Sequence, residues 1–178
     1  MTLAGDGTDG TDRMAMVAVV VAAVAMATIL GAYFFEFVLG YAPCPLCLDQ
    51  RIPYYVAIPF AVAVALGAQL GAPRLLLAGG LAVAAVAMLI GAGLGVYHSG
   101  VEWKWWAGPS DCSGPINSFG TAGGLLETIE TTPVVRCDEA AWRLLGLSLA
   151  GYNVLISTAL AGIALWGAAA AAGDRKST

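Results

Sequence analysis

The sequence predicts an all-α membrane protein, a four-helix bundle with a long extracytoplasmic loop between its third and fourth helices. Three observations predict it. Of the 178 residues, 59% are hydrophobic and only 11% charged, with a mean hydropathy of +0.79, which suits a chain whose exterior meets lipid. The apolar residues gather into four runs, each longer than the roughly 20 residues that cross a hydrocarbon core about 30 Å thick. Most of the charged residues fall outside the runs, and all four cysteines, Cys44, Cys47, Cys112 and Cys137, fall between them. Helix is the state these runs require, because four strands cannot close a membrane barrel and an open sheet leaves backbone groups unsatisfied in lipid. The formal charge of -4 and the lack of a basic stripe exclude a nucleic-acid partner.

The chain reads as a single membrane domain over 1–178, with spans at roughly 14–38, 48–70, 75–97 and 144–172 and a loop over 98–143. The first run is too long for a secretory signal, whose apolar stretch is about 7 to 15 residues, and Asp6, Asp9 and Asp12 precede it where a signal peptide carries positive charge. It reads as an uncleaved anchor. Near its end, Glu36 is costly in lipid and should face a polar pocket or the interface. Leu39 to Pro43 then connect to the second run, which opens on "PCPLCLDQR" and contains Pro53 and Pro59. Two prolines below a cysteine pair can open a slot for a planar headgroup. The turn "GAPR" leads to the third run, where Gly91 and Gly95 lie four apart and allow close helix packing.

The loop from His98 to Arg143 is long enough to move. It begins "HSGVEWKWW", where Trp103, Trp105 and Trp106 suit an aromatic belt at the interface. Further on, "GGLLETIETTPVV" can lay Leu125, Leu126 and Ile129 on the membrane surface. Since four spans alternate in direction, the first and third connections emerge on one face, so all four cysteines share a compartment. Lysine and arginine leave the orientation nearly tied: Arg13, Arg74, Arg175 and Lys176 on one side, Arg51, Lys104, Arg136 and Arg143 on the other. The first set sits in tails and a short turn, where the positive-inside rule holds best. Four cysteines on one face suit an oxidising compartment, so they are placed outside the cytoplasm.

The segment "APCPLCLDQR" carries the chemistry. Pro45 has a preset φ and no backbone donor, which fits a first helical position and keeps Cys44 extended as the N-cap. Cys47 then falls in the first turn, where free N–H groups and the helix dipole favour a thiolate. Arg51 lies four residues further on, on the same face. A zinc site fits less well, because 24 residues rather than two separate Cys112 from Cys137 and only His98 could add a nitrogen; no metal is expected. A purely structural CxxC bridge closes too short a loop to stabilise much. Redox exchange explains the spacing better. His98, the one histidine, sits at the same depth and face as the CxxC pair, where a ring that donates or relays protons serves quinone reduction.

These residues resemble one family. "PCPLCLDQR" is similar to the CxxC-x3-Arg signature of the bacterial disulfide bond formation protein B family (DsbB), and the resemblance extends through "YHSGVEWKWWAGPSDCSG" and "CDEAAWRLLGLSLAGYN". It implies a quinone-linked thiol oxidase of the inner membrane that takes electrons from a soluble periplasmic DsbA-like thiol oxidase and passes them to ubiquinone or menaquinone. The resemblance makes Cys112 the site attacked by the partner's thiolate, giving a mixed disulfide that Cys137 resolves. It makes Cys44 the residue that exchanges with the loop pair, Cys47 the thiolate that meets the quinone, Arg51 the group that polarises the quinone carbonyl, and His98 its neighbour. Glu36 departs from the uncharged polar residue expected there in the family. Two other classes share features with the chain. A vitamin K epoxide reductase-like protein carries its quinone-facing CxxC near the end of a later helix, whereas here the motif opens the second span, and a non-enzymatic disulfide-stapled membrane protein needs no quinone and no labile bond.

Overall fold

A computed structural model describes residues 6–109 and 136–173 of the chain. Helix α1 spans Asp6–Tyr33 and continues as a π-helical turn, Phe34–Val38. A short helix α2, Pro45–Asp49, is followed by α3, Ile52–Gln69, α4, Arg74–Glu102, and α5, Leu149–Gly173. Four stretches of helix are long and apolar enough to cross a membrane: Gly10–Val38, Pro45–Gln69, Arg74–Glu102 and Leu149–Ala169.

The helices form an up-and-down bundle in which α4 packs most extensively on α5, with α1 on α3, α3 on α4, and α1 on α5 closing the ring. Each buried stripe repeats every three or four residues, the spacing of one helix face. Met14, Ala18, Val21, Ala25 and Ile29 of α1 meet Leu81, Ala85 and Met88 of α4 and Leu160, Ala161 and Ala164 of α5 in one apolar core. Large side chains such as Phe37, Leu70, Leu76, Ile90 and Trp166 stay exposed on the outside, where lipid is their solvent. Small residues set the spacing. A Cβ on Gly95 would stand 2.8 Å from Val154 Cγ2 and 3.2 Å from the Ala150 carbonyl, and one on Gly91 would stand 3.2 Å from Ser157 Oγ. The glycine spacing in the third run is therefore the seat of the α4–α5 contact.

Helix boundaries differ from the sequence expectation for local reasons. The third span runs past Tyr97 to Glu102, so His98 stands inside the helix rather than at its exit. That helix ends with Lys104 at φ 61°, closed by bonds from Lys104 N to Val101 O and from Trp105 N to Gly100 O, the paired geometry of a left-handed cap. The fourth span starts at Leu149, not Leu144, because residues before it turn back on themselves. Arg143–Leu144 (β1) pairs antiparallel with Leu147–Ser148 (β2), joined by Leu145 at φ 52° and Gly146 at φ 83°. Two successive positive φ values are what the tightest hairpin turn demands. Pro53 sits in the first turn of α3 and only Pro59 lies in a helix interior, so the first of the two prolines starts a helix instead of interrupting one. Cys112 and the stretch containing Leu125, Leu126 and Ile129 lie outside the described residues.

Candidate active site

The site is built where α2 meets the ends of the long helices. Cys44 caps α2 with extended backbone, and Pro45 occupies the first helical position, as the sequence predicts. The cap differs in one respect: the Cys47 N–H donates to Cys44 Sγ at 3.3 Å, so the first-turn donor serves the sulfur of Cys44. The Cys44 thiol in turn donates to Cys47 Sγ at 2.8 Å. Both cysteines are free thiols. That hydrogen bond to Cys47, reinforced by burial, pushes the Cys44 thiol well above the usual range, so in the reduced pair the proton stays on Cys44 and Cys47 is the sulfur that accepts.

The two sulfurs face different surroundings. Cys44 is buried with Leu46, Val101 and Cys137 in a small cluster separate from the main core, and Cys137 is disulfide-bonded. Lys104 and Arg136 hold the segment after Cys137 in place through the Asp138 carboxylate, and these two cations hold that carboxyl well below the usual carboxylate range, the Arg136 bond contributing most. Cys47 packs against the edge of the same cluster but also lines a cavity of about 300 Å³ between the π-helical turn of α1, α3 and α5, together with Phe35, Arg51, Tyr54 and Ile156. A largely apolar cavity of that size with a few polar groups at one end is the form of a small-molecule site.

Arg51 lies in the break between α2 and α3. Its Nη1 is 2.6 Å from Glu36 Oε2, and its guanidinium sits 5.1 Å from the centre of the Tyr33 ring. Glu36 belongs to the π-helical turn, a widened turn of the kind that recurs at functional sites. The acid whose role the sequence left open is thus the partner of the arginine that lines the cavity.

His98 is seated against Cys44. Its Nε2 lies 3.7 Å from Cys44 Sγ and 3.8 Å from Glu102 Oε1, while Nδ1 faces Gln50 Nε2 at 2.7 Å. His98 does not line the cavity that Cys47 and Arg51 share. The two sulfurs and a ring nitrogen of His98 fall within 4.8 Å of one another, which is closer to a metal-ligand set than the sequence suggested. The Gln50 contact opposes that use, because a metal on Nε2 needs the ring proton on Nδ1, where an amide N–H already points.

Sequence reasoning missed the residues that surround these. Gln50 accepts from Asn153 Nδ2 at 2.7 Å, Asn153 accepts from Tyr54 at 2.6 Å, and Tyr54 shares a 2.9 Å bond with Ser157. A lone amide in an apolar span, as in "GYNVL", was the available signal, since a polar group in lipid must face a partner. Trp103, Trp105 and Trp106 are exposed at the end of α4, with Trp106 stacked on Tyr97 and donating to its carbonyl at 2.8 Å.

A capped dithiol at one end of a lipid-embedded bundle is the arrangement of a membrane oxidoreductase of disulfide formation. The chain belongs to the family of disulfide bond formation protein DsbB, whose model matches residues 13–167. Disulfide bond formation protein B of Xanthomonas oryzae pv. oryzae is 30% identical over 149 residues, which cover 83% of this chain and 84% of that protein. The protein of the same name from Xanthomonas axonopodis pv. citri is 33% identical over 141 residues, 76% of this chain and 77% of the relative. An uncharacterised protein of Rickettsia prowazekii is 28% identical over 153 residues, 84% of each chain. No solved structure matches the chain.

Proposed function

We propose that this multi-pass protein lies in the bacterial inner membrane with its cysteines on the periplasmic side. There it reoxidises a soluble DsbA-like thiol oxidase and passes the electrons through two cysteine pairs to a membrane quinone, ubiquinone or menaquinone. The observation that carries this reading is the division of the CxxC motif: Cys44 is buried with Cys137, whereas Cys47 opens into the apolar cavity beside Arg51. One sulfur faces a source of electrons and the other faces room for an acceptor.

The chain's own residues then act in order. The partner's thiolate attacks Cys112 of a Cys112–Cys137 disulfide, so the bond to Cys137 breaks and Cys137 leaves as a thiolate. Cys137 attacks Cys44 in the oxidised CxxC, the Cys44–Cys47 bond breaks, and Cys47 departs with the electron pair. Cys112, freed when the partner's second thiol takes the partner back to its own disulfide, attacks Cys137, and Cys44 is released. The loop pair is again oxidised and the CxxC pair holds two electrons. A quinone held beside Cys47 would supply the sink for two electrons and two protons, so that Cys44 and Cys47 could return to a disulfide. Arg51 and the apolar walls around Cys47 fit such a planar, carbonyl-bearing group, since a guanidinium donates readily to a carbonyl oxygen that gains charge.

The test is anaerobic turnover of purified protein with the reduced partner and either quinone, followed by quinol formation and by the partner's thiol state. Stoichiometric conversion of one dithiol per quinone supports the reading. Oxidation of the partner without quinol, or none at all, refutes it.

A further inference from the structure

The amide of Gln50 dictates which nitrogen of His98 carries the proton. Gln50 Nε2 lies 2.7 Å from His98 Nδ1 and also donates to the Leu46 carbonyl at 3.1 Å. Since a carbonyl only accepts, the nitrogen end of the amide is fixed. The oxygen end accepts from Asn153 Nδ2 at 2.7 Å. Asn153 is fixed in the same way, for its Nδ2 donates to the Gly91 carbonyl at 3.3 Å and its Oδ1 accepts from Tyr54 at 2.6 Å and Ser157 at 3.1 Å. Reversing either amide would set oxygen against carbonyl oxygen at one end and break a buried bond at the other.

Nδ1 must therefore present its lone pair, and a neutral imidazole then has its hydrogen on Nε2. That hydrogen has two side-chain neighbours, and the ring has a backbone one. Cys44 Sγ lies 3.7 Å from Nε2, Glu102 Oε1 lies 3.8 Å away, and the Cys137 backbone is a further hydrogen-bonding neighbour of the ring. Protonating Nδ1 would bring two N–H groups face to face at the Gln50 contact. The titratable groups around the ring are Cys44 and Cys47 of α2, Glu102 one turn on in α4 and, beyond Glu102, Arg143 of β1. Glu102 Oε2 is buried without a hydrogen-bond partner among the described residues.

We propose that Gln50, braced by Asn153, is a positioning residue that holds His98 as the neutral Nε2–H tautomer, and that the ring thereby donates a hydrogen bond to Cys44 as its sulfur departs from Cys137. The role rests on the exchange between pairs proposed above, and it gives His98 the Cys44 side of the site while Arg51 serves the Cys47 side. Cys44 needs such a donor. In the last exchange step the Cys44–Cys137 bond breaks, the Cys112–Cys137 bond forms, and Cys44 takes the electron pair inside a buried cluster, where an unassisted thiolate is costly.

Because the chain has one histidine, the tautomer can be read directly. Untagged, reduced protein labelled with [15N]histidine should give one ring-nitrogen pair, with Nδ1 of the lone-pair type and Nε2 of the N–H type, unchanged between about pH 5 and 8. In Gln50→Glu the carboxylate accepts from Nδ1–H, so Nδ1 should change to the N–H type. Gln50→Leu should let the ring titrate and slow exchange from the loop pair to the CxxC pair by about tenfold to hundredfold, the scale of a lost bond to a charged group. An Nδ1–H tautomer or an imidazolium in the unsubstituted protein at neutral pH overturns the proposal, as does a tautomer that Gln50→Glu leaves unchanged. These spectra stand even if the protein fails to reduce quinone, so failure of the proposed function and failure of the tautomer clamp are separable.

Discussion

Glu36 Oε2 and Arg51 Nη1 meet at 2.6 Å, across the break between the π-helical turn that ends the first span and the start of α3. The pair is mostly buried, with side-chain exposures of 11% for Arg51 and 21% for Glu36. Removing one partner of such a pair leaves the other uncompensated. We expect Arg51→Ala to lower quinone-dependent turnover by about one to two orders of magnitude, on the scale of roughly 1.5 to 3 kcal/mol for a charge-assisted contact. Exchange at the loop pair should be spared, because it occurs at other sulfurs. Arg51→Lys should recover only part, since an ammonium lacks the planar fork. Glu36→Gln keeps the shape and frees the guanidinium, and should strengthen quinone binding. Steady-state quinol formation paired with stopped-flow exchange decides the matter: equal slowing of both steps by Arg51→Ala would make the arginine structural.

The loop pair has its own test. With Cys137→Ser, Cys112 loses its intramolecular partner, and mixing with the oxidised soluble oxidase should trap a mixed disulfide through Cys112 on non-reducing gels. An adduct that forms with Cys112→Ser instead, through Cys137, reverses the assignment.

Cys44 carries a pH dependence with a definite sign. Its thiol is pushed up first by the bond to Cys47 and then by burial. A raised folded value stabilises the reduced protein fully below the unfolded thiol value of about 8.5, and that contribution is lost as pH climbs toward the folded value. In a Cys112→Ser, Cys137→Ser background, thiolate absorbance should therefore show Cys44 staying protonated through the ordinary thiol range. Cys47→Ser should bring the Cys44 titration down, leaving burial as the remaining cause. Two overlapping titrations in the parent would contradict the hydrogen-bonded pair.

Gly95 tests the packing of α4 on α5. Its ideal Cβ would stand 2.8 Å from Val154 Cγ2 and 3.2 Å from both the Ala150 carbonyl and Asn153 Nδ2. Gly95→Val should cost about 1 to 3 kcal/mol through overpacking and disturb Asn153, hence the Gln50 amide. Gly93, with nothing within 4 Å of its Cβ, should tolerate alanine. Thermal stability in detergent measures both, and equal effects would show that the close approach is not where the helices meet.

The sequence by itself determined the four spans, the capped CxxC with Pro45 at the first helical position, and the meeting of Cys44, Cys47 and Cys137 at one end of the bundle. Each follows from local physics: apolar length, a fixed φ, and the alternation of direction along a chain that crosses a membrane. It also singled out Arg51 and His98 as the side chains that accompany the CxxC thiols. What only tertiary structure decided is what each of them touches. Glu36 lies 15 positions before Arg51, Gln50 lies 48 before His98, and Asn153 lies 103 after Gln50. No periodicity in the chain links such positions. Helix rotation and the π-helical turn set the first contact, close approach at Gly91 and Gly95 sets the others, and both are properties of how the helices pack rather than of any one of them. The placement of His98 against Cys44 and of Cys47 in the cavity follows from the same packing, because two sulfurs three residues apart at a helix start point to different neighbours only once those neighbours are in place.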